Sequence, residues 1–118
     1  MTGGTDMTVK QLAAQAGLKI LAGEGSLGRE IESVYSCDLL SFVMGRAPAD
    51  SAWVTVMGNV NAVAVASLAD AALIVLCHDA ALMEDARARA AEQGINIALT
   101  GLPEFEAAVA VAGQLGLR

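Results

Sequence analysis

The sequence predicts an α/β fold, a small and mostly parallel sheet flanked by helices. Three observations carry this reading. From residue 51 the chain alternates short apolar runs, at 52–56, 73–76 and 96–99, with helical patterns over 62–69, 80–93 and 103–115. Runs of that kind suit buried strands, and strands joined through helices pair in parallel with right-handed crossovers. The third observation is composition: 55% of the 118 residues are hydrophobic, mostly Ala, Val and Leu, with Trp53, Tyr35, Phe42 and Phe105 as the aromatics. That is enough for one core in one domain, and small side chains let helices lie close to a sheet.

Taken in order, residues 1–7 are rich in Gly and Thr without periodicity and read as a disordered tail before a single domain over 8–118. Thr8-Val9-Lys10-Gln11 has the capping-box spacing, and Val9, Leu12, Ala13 and Ala16 share one helical face that Gly17 ends. Residues 18–22 predict a short strand, 23–28 a Gly-rich turn and 30–36 a second strand. Leu39, Leu40 and Val43 recur at helical spacing before Gly45 and Pro48 break the pattern. Asn61 is the expected cap of the 62–69 helix and Asp79 of the 80–93 helix, with Pro103 in the first turn of the last one. Residues 60–66 could also alternate as a strand. Glu84 with Arg87, and Asp85 with Arg89, have the spacing of solvent-facing pairs.

A formal charge of −6 with pI near 4.5 opposes binding to a phosphate backbone, so nucleic acid is not an expected partner. The apolar runs are too interrupted to cross a bilayer, and residues 1–6 lack the pattern of a signal peptide, so a cytoplasmic, membrane-free setting is expected. In that setting Cys37 and Cys77 stay reduced. Gly23-Glu24-Gly25-Ser26-Leu27-Gly28 matches the dinucleotide pattern G-x-G-x-x-G, but a strand rather than a helix follows it, so the phosphate site it would need is missing. Residues 8–18 look like the first helix of a helix-turn-helix unit, but no recognition helix follows.

In open parallel sheets ligands gather beyond the carboxyl ends of the strands. That rule selects Ser36, Cys37 and Asp38, then Met57, Gly58, Asn59 and Asn61, then Cys77, His78 and Asp79, then Thr100 and Gly101. The candidate ligand-binding set is Ser36, Asp38, Asn59, Asn61, Cys77, His78 and Thr100. Asp38, His78 and Asp79 could move protons and a thiol could act as nucleophile, but the spacing matches no catalytic motif. The structural alternatives are helix caps at Asp38 and Asp79, a surface loop at His78 and buried thiols. Cys37, Cys77 and His78 could meet at a metal, although no paired spacing supports a metal site and none is expected.

Residues 35–44, Tyr35-Ser36-Cys37-Asp38-Leu39-Leu40-Ser41-Phe42-Val43-Met44, resemble the Ser-Asp-Leu-Leu-Ser-x-Val-Met signature of DRTGG domains. Residues 61–66 and 68–70 resemble that family's next block, 90–99 its helix end and following strand, and 8–23 its opening, so the similarity spans nearly the whole chain after residue 7. Within Gly28-Arg29-Glu30-Ile31-Glu32-Ser33-Val34 the Arg of the eponymous run is kept while its Gly pair is not. Cys77-His78-Asp79 stands where many members carry a Gly-rich turn. DRTGG domains accompany phosphotransacetylases and CBS-domain pyrophosphatases, and resemble the N-terminal domain of HPr kinase. The resemblance implies a stand-alone, non-catalytic regulatory or sensory domain without a cofactor. It would act as a homo-oligomer, most simply a homodimer, bind a small nucleotide-like effector at the carboxyl edge, and serve a regulated enzyme. The other readings are an assembly or adaptor protein without a ligand, and a small metalloprotein or enzyme using Cys37, Cys77 and His78. Self-association is expected through the apolar helices at 62–69 and 107–112, with Val65→Glu and Val111→Glu as the variants that would disrupt it.

Overall fold

The computed structural model describes residues 7–117, so the expected tail lies outside the described residues except for Met7. Met7 packs against the core, and its carbonyl accepts the Ile31 N–H at 2.8 Å. The chain then forms α1 (Val9–Ala16), β1 (Lys19–Ala22), a 3-10 turn (Glu24–Ser26), β2 (Ser33–Ser36), α2 (Leu40–Arg46) and β3 (Ser51–Thr55). It continues as α3 (Val60–Ala69), β4 (Leu73–Leu76), α4 (Glu84–Gln93), β5 (Ile97–Leu99) and α5 (Glu104–Leu115).

The α1 start follows its sequence chemistry: Gln11 N–H donates to Thr8 Oγ1 at 3.2 Å, and Thr8 N–H donates to Gln11 Oε1 at 2.9 Å. Gly17 ends the helix at φ 70°, a left-handed conformation that glycine adopts without steric cost.

The five strands lie in the order β1-β5-β4-β3-β2. β2, β3, β4 and β5 run parallel, and β1 joins the edge antiparallel to β5 with an irregular register between Ile20 and Ala22. Alternation along the strands divides the interior. Ala52, Val54, Leu73, Val75 and Ala98 face α1 and α5, whereas Trp53, Ile74, Leu76 and Ile97 face α2, α3 and α4. With helices on both faces every residue of β3 and β4 is buried, which is why both strands read as continuous apolar runs. Full burial of a Val, Leu or Ile side chain contributes about 1.5–3 kcal/mol, so these central strands carry much of the hydrophobic stabilisation.

Four expectations change. The cap of α3 is Asn59, whose Oδ1 accepts the Ala62 N–H at 2.9 Å; Asn61 sits exposed in the first turn, because the helix already begins at Val60. That also settles residues 60–66 as helix. Asp79 caps nothing: it stands at φ 53°, its N–H donates to Thr100 O at 3.0 Å, and the backbone crosses four more residues before α4 begins at Glu84. Glu84 does approach Arg87 at 3.9 Å, but the second pair on α4 is Arg89 with Glu92 at 3.8 Å rather than with Asp85. Finally, Val65 and Val111 are core residues at 7% and 1% exposure. Helical phase turns Leu68 and Val109 outward instead, at 72% and 55%.

The amino edge of the sheet is tied by Arg29, whose Nη2 lies 2.9 Å from Asp50 Oδ1, 2.9 Å from Asp70 Oδ1 and 2.7 Å from the Asp70 carbonyl. Both acidic residues adopt left-handed backbone, φ 62° and 57°, at the start of β3 and the end of α3. Nearby, Asn96 Nδ2 donates to Ala72 O at 3.0 Å and Ser26 O at 3.1 Å, binding the turn after β1 to the sheet. Among the described residues, no helix is long and apolar enough to cross a membrane.

Candidate carboxyl-edge site

Parallel strands β2 to β5 all end on one side, and there the loops leading into α2, α3, α4 and α5 converge. Asp38 is the best-anchored polar group among them. Its Oδ1 accepts from Thr55 Oγ1 at 2.6 Å and from Val56 N–H at 3.1 Å, so the β2–α2 loop is fastened to the end of β3. The same loop is held from below, where buried Trp53 donates its Nε1–H to the Cys37 carbonyl at 2.8 Å.

Glu104, the first residue of α5, meets Asp38 across a side-chain hydrogen bond. Two carboxyl groups at that distance cannot both ionise freely. Burial, and then the hydrogen bond and charge of Asp38, push the Glu104 carboxyl up to about 7. Asp38 moves the other way: burial opposes its charge, but hydrogen bonds from Thr55, Glu104 and the Val56 N–H outweigh burial and hold it below the ordinary carboxylate value. The pair thus retains one proton well above the pH at which an isolated glutamate loses it.

The thiol of Cys77 lies under this pair, fully buried on the α1 and α5 side. Burial, followed by the charges of Glu104 and Asp38, pushes it up to about 11. It is placed as a core residue with Sγ 3.8 Å from the Val75 carbonyl. Cys37 is partly exposed, with Sγ 3.8 Å from the Leu39 carbonyl. His78 is exposed at φ 58°, its N–H donating to Leu102 O at 3.0 Å. Thr100 is 8% exposed, and its Oγ1 accepts the Leu102 N–H at 3.2 Å. His78, Asp79, Thr100 and Leu102 therefore form one stitched pair of loops.

Ser36 lies exposed at the end of β2, and Asn59 is occupied as a helix cap. Next to Asn59, the Gly58 carbonyl accepts the Met83 N–H at 2.8 Å, and a Cβ on Gly58 would collide with the Ala81 carbonyl. Glycine is required there because the 79–83 segment rests on its backbone. Among the described residues, no group of three or more His, Cys, Asp and Glu side chains could hold a metal ion, and Cys37, Cys77 and His78 do not meet.

The fold is found in a solved structure. A solved structure titled the CBS and DRTGG domains of the regulatory region of Clostridium perfringens pyrophosphatase, complexed with the activator diadenosine tetraphosphate, superposes with a TM-score of 0.72. The likeness covers 93% of this chain at 9% sequence identity, so it is a likeness of fold. The chain spans about half of that structure's length, 48%. No family model matches the sequence, and no curated protein matches it. The α/β architecture expected from the sequence, with its mostly parallel sheet, is present.

Two site residues escaped the sequence reading. Thr55 looks like one more β-branched strand residue, and Glu104 looks like a carboxylate placed for the helix dipole. A hydroxyl on the last residue of an otherwise apolar strand, level with an acid just after Pro103, was the available signal.

Proposed function

We propose that residues 8–118 form a regulatory, non-catalytic module that binds a small nucleotide-like effector at the carboxyl edge, works as a homo-oligomer in the cytoplasm, and controls a partner enzyme. The observation that carries this reading is the convergence of Asp38, Asn59, His78 and Thr100, with the starts of α3, α4 and α5, on one side of the sheet. The fold likeness supports it, since the neighbouring structure holds a dinucleotide activator. The edge also constrains the ligand. Its loops, 37–39, 56–59, 77–83 and 100–103, contain no Lys or Arg, while Asp38, Asp79 and Glu104 stand around them. An acceptor-rich, anionic edge of this kind suits ribose hydroxyls and base amino groups, and leaves phosphates to solvent or to helix N-termini. The unlinked thiols Cys37 and Cys77 fit a reducing compartment.

Thermal unfolding with adenosine, AMP and diadenosine tetraphosphate tests this. A ligand at 100 times its Kd stabilises the native state by about 2.7 kcal/mol, and Asp38→Asn should remove the effect. Silence from all three nucleotides and nucleosides defeats effector binding and leaves the assembly reading.

A further inference from the structure

We propose that the Glu104 side chain is a proton-operated latch, which fastens the first turn of α5 to the loop between β2 and α2 while Glu104 and Asp38 share a proton, and releases that turn when both are ionised. The device needs no ligand to work. Little else holds the turn. Pro103, in the N-cap position, makes no side-chain hydrogen bond to the helix, and Phe105 and Glu106 stand exposed. Fixed points lie on either side. Leu102 donates its N–H to Thr100 Oγ1 at 3.2 Å and its carbonyl accepts from His78 N–H at 3.0 Å, whereas Ala107 is buried in the core. Between them Glu104 makes the cross-link to Asp38.

An ionised carboxylate only accepts hydrogen bonds, so a bond between two carboxyls lasts only while one of them carries a proton. Loss of that proton puts two like charges in contact. Asp38 is the fixed partner, because its Oδ1 takes both the Thr55 hydroxyl, at 2.6 Å, and the Val56 N–H, at 3.1 Å. Glu104, on a longer side chain, is therefore the one that moves. Its destination is close: once ionised it is favoured at the positive end of its own helix, where the first N–H groups have no intrahelical acceptor. Release stops at Ala107, so the core beneath stays closed.

The surroundings do not offset this repulsion. Of the elements packed against α5, β3 carries no titratable side chain, β2 carries only the Tyr35 phenol, and α1 carries only Lys10, which is exposed. The end of β4 and the loop beyond it add the Cys77 thiol, His78 and Asp79, the β2–α2 loop adds Cys37 and Asp38, and α5 itself adds Glu106. Burial, and then Asp38, raise the Glu104 carboxyl to about 7, so the changeover falls near neutrality. Above it Asp38 loses one donor and regains an acceptor position. On the effector reading above, that position then becomes open to a donor of the ligand; the latch itself does not depend on that reading.

Backbone order parameters of the full chain, measured by nitrogen relaxation at about pH 5.5 and about pH 8.5, test this. Phe105 and Glu106 should fall from rigid-backbone values of about 0.85 towards about 0.6, with a midpoint at about 7, while β4 stays rigid. Glu104→Gln, whose amide donates to Asp38 at every pH, should keep the turn rigid throughout, and Glu104→Ala should leave it loose throughout. His78→Gln should leave the wild-type change in place. A wild-type first turn that is rigid at both pH values overturns the latch. So does a change that survives in Glu104→Gln, that disappears in His78→Gln, or that extends equally to β4, and so does a rigid turn in Glu104→Ala. The wild-type comparison involves no substitution, so it decides even where a variant does not fold. Every arm is free of ligand, and failure of the latch leaves effector binding standing, to be read by thermal unfolding.

Discussion

Thr55 and Asp38 are joined by a 2.6 Å hydrogen bond that closes the end of β3 onto the loop entering α2, and Asp38 is also engaged by Glu104. Stability should therefore depend on pH in a particular direction. Glu104 has its folded value raised to about 7, so its contribution is complete below about 4.5 and is lost as pH rises through 7. Asp38 has its folded value lowered, so its contribution exists above its ordinary value and is lost in acid. The expected optimum lies between the two, with melting temperature falling between about pH 4.5 and pH 7. Glu104→Gln should flatten that fall, and a fall of unchanged size in the variant would show that the pair is not its source.

Arg29 joins three acceptors from two segments, all at the amino edge. Arg29→Ala should cost about 1–2 kcal/mol in urea unfolding, the lower part of the range for charged hydrogen bonds because the groups are partly exposed. Arg29→Lys should recover only part of that, since the shorter side chain must bring its ammonium to acceptors that Nη2 reaches from the far end of the guanidinium.

Gly58 carries the weight of the 79–83 segment, so Gly58→Ala should destabilise by about 1–3 kcal/mol through displaced backbone. Gly25→Ala provides the control: nothing lies within 4 Å of the added carbon, and a change within about 0.5 kcal/mol is expected. Equal effects at the two positions would count against close packing at Gly58.

The thiols should separate in reactivity. Cys77 is buried and its thiol is pushed up to about 11, so a disulfide reagent at pH 8 should modify one thiol per native chain, at partly exposed Cys37, and two after denaturation. Two fast-reacting native thiols would show that the edge above Cys77 opens readily.

Local chemistry was legible in the sequence where a residue's partner is near in the chain. Thr8 and Gln11, Gly17 and Pro103 all mark helix ends as expected. Where two residues could serve one role, the sequence pointed to the wrong one: Asn61 was the expected cap, yet Asn59 takes that place, and packing of Val63 and Ala66 into the core decides the phase. Asp79 misled for a different reason. Its backbone is committed to the Thr100 loop, a partner distant in sequence, so the helix starts late. The Asp38, Thr55 and Glu104 cluster was hidden in the same way, each member having a sufficient local explanation and only the sheet bringing them together.

Trp53 is the single tryptophan of the chain, wholly buried, and its indole N–H ends on the Cys37 carbonyl, one residue before Asp38. The molecule thus contains an intrinsic optical reporter wired to its candidate site. Any event that shifts the loop before α2 must lengthen or bend that indole hydrogen bond, and the emission maximum and quantum yield will register it without an attached dye. The proposed occupancy of the carboxyl edge would accordingly be followed in real time in the native protein, and stopped-flow fluorescence would distinguish a loop that moves before the proposed effector arrives from one that moves after.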